Sequence, residues 1–270
     1  MLCPSDAELV AREEELPGLA TLLSPQALGS LLTARGWGED MTALRAYYTR
    51  YKPGTSCLVA YRGVAVDGQP VWLYAVAHRR EAVKLSKARN LYQQGLHDSL
   101  LIAHELGLIV YRFPLDRRLL WMEALRSPES CRKFLEQIRI SAPGAGAALN
   151  WTVLRYKPER RCVTRINMGD RRWLVKLYAD DHAYSAARAG SKVGAGGALR
   201  TAEIAGWSRS ARALAWHWAC GRPLDELPPG DEMTLRAYGA AGAALADLHQ
   251  RAARTPLRYD GKAEQNALRC

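Results

Sequence analysis

"TRYKPGTSC" at residues 49–57 and "LRYKPERRC" at residues 154–162 spell Arg-Tyr-Lys-Pro-x-x-x-Cys twice in one chain. Each copy opens a run of strand-like text. After the first, "SCLVAYRGVAV" alternates and is rich in β-formers, "VDGQP" is a turn signal, and "VWLYAVAH" is a second, apolar strand. Around the second, "NWTVLRYKPERRCVTRINMGDRRWLVKLYAD" reads as three strands, the last two joined at "NMGD". Setting Cys57 against Cys162, and Trp72-Leu73 against Trp173-Leu174, takes one four-residue adjustment in the turn. The two stretches are therefore the openings of two copies of one β-rich unit. The copies differ at Lys176, embedded in the apolar strand "WLVKLY". The first copy reads "WLYAVA" there, with Ala75 opposite the lysine.

Working outward, residues 1–40 alternate short helical stretches with proline and glycine stops. "REAVKLSKARNLYQQGLHDS" has a helical pattern, and "LGLIVYRFPLDRRLLWMEAL" gives a strand, a Pro-Leu-Asp turn and an apolar element. Ser127, Pro128 and Glu129 make a helix start for "SPESCRKFLEQIRI". "SAPGAGAALN" at 141–150 reads as a linker that divides the chain into 1–140 and 151–270. Beyond it come a helix "DDHAYSAARAG", a glycine-rich loop "SKVGAGGA", and a strand "RALAWHWAC" that runs into a turn at Gly221-Arg222-Pro223. The final helix, "DEMTLRAYGAAGAALADLHQRA", has Asp231 as its N-cap and Leu235, Tyr238, Leu245 and Leu248 on its apolar face.

Composition narrows the class. Of 270 residues, 48% are hydrophobic and 24% charged, the balance of a soluble globular chain. No apolar run is long enough for a membrane span, and the acidic, proline-broken N-terminus does not read as a signal peptide. Six widely spaced cysteines with no Cys-x-x-Cys pair argue against a zinc site or a disulfide framework, and reduced thiols suit a cytoplasmic location. The net charge is +11, with arginine supplying 30 of the 38 basic residues. That charge fits an anionic partner or an arginine-rich composition. The basic residues are scattered and no nucleic-acid-binding motif is present, so neither nucleic acid nor membrane is the expected partner.

A lysine within an apolar strand is costly to bury unless its ammonium meets an anion or reaches solvent. The order of parts around Lys176 is a turn "YKPERRC", the lysine strand, a helix, a strand ending in "WACGRPLDEL", and a helix ending in "LADLH". This order resembles the N-terminal lobe of the aminoglycoside phosphotransferase and choline kinase-like family, which shares the protein-kinase architecture. The resemblance covers roughly residues 145–250. It implies an α+β fold with an antiparallel sheet plus helix, preceded by a degenerate copy of the same lobe. It further implies ATP with Mg²⁺ as cofactor and a small-molecule hydroxyl as phosphoryl acceptor. Phosphoryl transfer depends more on positioned positive charge than on covalent chemistry.

On that resemblance, Lys176 is the phosphate lysine. Tyr156 to Arg161 form the phosphate-covering turn, with Lys157, Arg160 and Arg161 supplying charge. Trp216 to Cys220, including Trp218, form the adenine-facing hinge, and Leu245, Leu248 and His249 lie on the helix leading toward a catalytic loop. A carboxylate on the helix after the lysine should pair with it, and Asp180, Asp181 and Glu203 are the ones on offer. The turn has no Gly-x-Gly-x-x-Gly, and the chain contains no His-Gly-Asp-x-x-x-x-Asn. The hydroxyl-orienting base and the metal ligands are therefore missing. The expectation is an N-terminal portion of a phosphotransferase that transfers nothing alone, and the alternative is a non-catalytic two-unit binding or regulatory protein. Of the remaining features, His182 beside Asp180 and Asp181 reads as a solvated helix cap and "GAGG" at 194–197 as a loop. Trp207, Trp216 and Trp218 serve core packing or base stacking.

Overall fold

The computed structural model describes residues 2–37, 41–65, 68–79, 83–93, 98–141, 146–191 and 199–250. The chain is α+β and carries two antiparallel five-stranded sheets with several helices. It divides into two units. The first comprises Met1–Ser127 with Tyr156–Arg160, and the second Pro128–Arg155 with Arg161–Cys270. No helix among the described residues is long and apolar enough to cross a membrane.

The first unit opens with α1 (Pro4–Arg12), α2 (Leu19–Leu23) and α3 (Pro25–Ala34), the last capped by the Ser24 hydroxyl, which accepts from the Ala27 amide at 3.2 Å. Strands β1 (Met41–Lys52), β2 (Ser56–Ala65) and β3 (Pro70–His78) follow, then α4 (Val83–Gln93), β4 (Leu100–Ala103) and β5 (Leu108–Arg112). The strand order is β1-β2-β3-β5-β4. Leu19, Leu22, Leu28 and Leu32 pack with Cys57, Val59, Tyr61, Leu73, Ala75 and Ala77 on one face of this sheet. The alternate residues Leu58, Ala60, Trp72, Tyr74, Val76 and His78 are buried as well. Both faces are thus covered, which is why β3 reads as an unbroken apolar run rather than an alternating one.

Helix α5 (Pro128–Gln137) leads into the second sheet, built from β6 (Leu149–Lys157), β7 (Arg161–Met168) and β8 (Arg171–Tyr178). After these come α6 (Asp181–Gly190), β9 (Ile204–Ser208), β10 (Ala213–His217) and α7 (Glu232–Gln250). The order is again one, two, three, five, four: β6-β7-β8-β10-β9. Leu149 and Asn150, read from sequence as the end of a linker, open β6. Residues 142–145 of that stretch, and "GAGG" at 194–197, lie outside the described residues. The Asp231 side chain accepts from the Met233 amide at 3.3 Å, the cap expected of α7.

Strand register fixes which residues of the two copies correspond. Cys57 faces Ala77, and Cys162 faces Leu177. Lys176 therefore corresponds to Val76, not to Ala75 as the Trp-Leu alignment has it. The connecting turns differ in length, and a one-residue slip along a strand carries a side chain to the other face.

The correspondence extends beyond the letters of the sequence. Gly36 and Arg139, both with positive φ (61° and 66°), end α3 and α5, and the next amides, Trp37 and Ile140, return to the carbonyls of Leu32 and Leu135 at 2.8 and 2.9 Å. Gly107 and Arg212, again with positive φ, precede the last strand of each sheet. Their carbonyls accept from His78 and Tyr178 at 2.9 and 3.0 Å.

The repeated Arg-Tyr-Lys-Pro-x-x-x-Cys now has a physical account. Proline takes the second place of a turn, and Gly54 (φ 59°) or Glu159 (φ 57°) takes the third. The amides of Thr55 and Arg160 close the two turns onto Lys52 and Lys157 carbonyls, both at 3.1 Å. The motif tyrosine donates its hydroxyl to a carboxylate from a segment earlier in the chain: Tyr51 to Glu13, and Tyr156 to Asp116 at 2.8 Å. The same carboxylate accepts the amide of the positive-φ residue, Gly54 to Glu13 at 2.8 Å and Glu159 to Asp116 at 2.9 Å. Cys57 and Cys162 are fully buried behind their turns, and burial pushes the Cys57 thiol up to about 12.

Candidate anion site

The second sheet treats its two faces differently. Along β7 burial alternates without exception: Cys162, Thr164, Ile166 and Met168 are buried, while Arg161, Val163, Arg165 and Asn167 are half-exposed. On β8, Trp173, Val175 and Leu177 are buried, and Leu174 and Lys176 are half-exposed on the other face. These two strands alternate between a packed face and a half-exposed one, and α6 covers part of the second face over Tyr178 and Leu214. Lys176 sits in the middle of the half-open face, opposite Val163 on β7 and Leu214 on β10.

The electrostatics there are one-sided. The Lys176 ammonium stands 5.2 Å from the centre of the Tyr178 ring. Burial holds its pKa below the ordinary lysine value, and the guanidinium groups of Arg161 and Arg155 lower it further. No carboxylate among the described residues pairs with it. Asp180 is occupied as the N-cap of α6, accepting from the Ala183 amide at 2.8 Å, and Asp181 and Glu203 are exposed. Three cationic side chains thus share a half-open surface with no acid to balance them. Such a surface attracts an anion with several acceptor oxygens.

The other residues singled out from sequence are dispersed around and beyond this point. Trp216 pairs with Leu174 on the Lys176 face and packs against the cluster of Tyr178, Tyr184 and Leu214 at the foot of α6. The Trp218 amide donates to the Arg172 carbonyl at 3.1 Å, the Arg165 guanidinium lies 5.6 Å from the Trp218 ring, and Cys220 is exposed. Lys157 and Arg160 belong to the first unit, where the Lys157 ammonium stands 5.4 Å from the Tyr48 ring. The guanidinium groups of Arg139 and Arg188 lie over the Trp207 ring, 4.3 and 3.3 Å from its centre. Arg155 was not singled out from sequence. It is the arginine of the repeated Arg-Tyr-Lys-Pro motif, and its charge bears on Lys176.

Metal binding is a separate question. No group of three or more His, Cys, Asp or Glu among the described residues could hold a metal ion. The donor set around Lys176 is cationic throughout, so the residues present suit phosphate oxygens and not Mg²⁺. Compared with known proteins, the chain has no significant match to a family model, a curated protein or a solved structure.

Proposed function

We propose that the second unit binds the phosphate chain of a nucleotide, on an architecture like the N-terminal lobe of a kinase-type phosphotransferase. The observation that carries this reading is Lys176 itself, a half-buried ammonium without a carboxylate partner, flanked by Arg161 and Arg155. Lys176 and the two arginines hold phosphate oxygens, and Trp216, half-buried on the same sheet face, is the flat apolar surface available to a base. The order of parts supports the same architecture: hairpin turn, lysine strand, helix α6, two further strands, a short 3-10 turn at Leu224–Glu226 and the long helix α7.

The chemistry on offer is binding. The chain contains no His-Gly-Asp sequence to orient an acceptor hydroxyl, and its described carboxylates do not gather into a metal site. A hydroxyl-bearing small molecule as acceptor therefore has no grip that the described residues provide. The second reading, a two-unit binding protein, draws on a specific feature of the first unit, where Val76 replaces the lysine and both sheet faces are buried. On the second reading the basic charge holds a partner, and nucleotide need not be what the second unit binds.

The experiment is a titration of the full chain with AMP, ADP and ATP without added metal, followed by tryptophan fluorescence. Affinity should rise with phosphate number and fall with salt, because half-exposed charges are screened over about 10 Å at 0.1 M ionic strength. Equal affinity for all three nucleotides would show that the phosphates are not what is held.

A further inference from the structure

Glu159 occupies the turn position that Gly54 fills in the first copy. It does so at φ 57°, a backbone conformation that favours glycine. Its side chain is 3% exposed, and what it meets lies entirely within the first unit. Oε2 accepts from the Arg50 guanidinium at 2.5 Å, and Oε1 is 2.5 Å from the Arg117 guanidinium.

Two further groups feel the same carboxylate. Lys84, on α4, has its pKa lowered by burial and by Arg117, with Glu159 acting in the opposite sense. His78, at the end of β3, is 2% exposed, and its Nε2 has no hydrogen-bond partner among the described residues. Burial, with Lys84 and Arg117 beside it, keeps the imidazole neutral. The nearby Asp116 carboxylate is already engaged by the Tyr156 hydroxyl and by the amides of Arg118, Leu119 and Glu159. Two guanidinium groups, Arg50 and Arg117, thus close on the Glu159 carboxylate, with Lys84 and His78 in the surrounding field.

Register gives this cluster its meaning. Arg50 faces Leu58, which faces Val76, so Arg50 lies on the sheet face that corresponds to the Lys176 face of the second unit. Arg50 holds the place that Arg155 holds there. We propose that the first unit contains an oxyanion-binding pocket formed by Arg50 and Arg117, and that the chain fills it with the Glu159 carboxylate. Its chemical class of ligand is a tetrahedral oxyanion, a phosphate or sulfate group. Such a group offers more acceptor oxygens and more charge to these donors than one carboxylate does. The first unit is thus held in a ligand-filled state without a ligand, while Lys176, on the corresponding face of the second unit, is half-exposed and has no carboxylate partner among the described residues.

The test uses the full chain in a Lys176→Ala background, so that phosphate held by the second unit does not contribute. Glu159→Gly removes the carboxylate and installs the residue that the φ angle favours. Glu159→Gln keeps the shape of the turn and removes only the charge, in case the first variant does not fold. Inorganic phosphate is titrated by ³¹P NMR line broadening. The expected result is saturable binding in a Glu159 variant, absent from the Lys176→Ala parent and weakened about ten-fold or more by adding Arg50→Ala. Binding no stronger than the parent's in both Glu159 variants, or binding that survives Arg50→Ala, would overturn the proposal. Loss of nucleotide binding through Lys176 has no bearing on this outcome.

Discussion

His78 and Lys176 show how single titratable groups fare on the two sheets. Lys176 is left half-exposed with its pKa lowered by burial, Arg161 and Arg155, whereas His78 is enclosed and its pKa is pushed down to about 4 from 6.5, first by burial and then by Lys84 and Arg117. The sign of its effect on stability follows. Between pH 6.5 and 4 the unfolded chain takes up a proton that the folded chain refuses, so stability is full above pH 6.5 and falls as the pH drops toward 4. At about 1.4 kcal/mol per pH unit, the loss across that window is about 3 kcal/mol. Asp116, whose carboxyl is held up by burial, acts in the opposite sense, so comparison with a variant isolates the histidine. Urea unfolding at a series of pH values should show a shallower fall from pH 6.5 to 4 for His78→Gln than for the parent. Parallel curves would contradict this assignment. Lys176 was visible in the sequence because a lysine interrupts an apolar strand. Nothing local marks Glu159, since its partners Arg50 and Arg117 are distant in the chain.

At the scale of elements, the carboxylate that fastens each Tyr-Lys-Pro turn is the feature common to both copies. In the second, the buried Asp116 accepts from one hydroxyl and three amides. Tyr156→Phe leaves that carboxylate one donor short, which costs about 1–3 kcal/mol. Tyr51→Phe removes the corresponding bond from Glu13. The effect should be smaller there, because the Tyr51 side chain is half-exposed and water can replace the bond. Equal urea midpoints for Tyr156→Phe and the parent would show that the bond is not structural.

A second element-scale prediction concerns Gly206 on β9. A Cβ there would lie 2.3 Å from the Ile138 carbonyl oxygen, so Gly206→Ala forces β9 away from the segment that follows α5. The expected loss is about 1–3 kcal/mol by thermal or urea unfolding, and an unchanged midpoint would contradict the close approach. The long strands were legible because alternation or an unbroken apolar run marks them. The strands β4 and β9 were not, although β5 and β10 are no longer than β9; β9 is a five-residue run interrupted by Gly206. The link between the copies through Glu13 and Asp116 was hidden because the two acids differ and neither lies in the repeated motif.

Across the whole molecule, two sheets with the same strand order and corresponding turn bonds have diverged in what covers them. The sequence spells its motif twice, once in the first hairpin of each sheet. That repeat could not say which residues complete each unit, and Tyr156–Arg160 belongs by its contacts to the first unit despite lying in the second copy of the motif. Nor could the overall charge of +11 locate an anion site, since what matters is that the cations around Lys176 have no acid among them. That local imbalance is the basis of the functional reading, and removing its central charge is the direct test. Isothermal titration of ATP into the full chain and into Lys176→Ala should give saturable binding in the first and a loss of about ten-fold or more in the second. That loss corresponds to one charge-assisted contact of about 1.5–3 kcal/mol. No binding to the parent chain, or equal affinity in the two, would contradict the account.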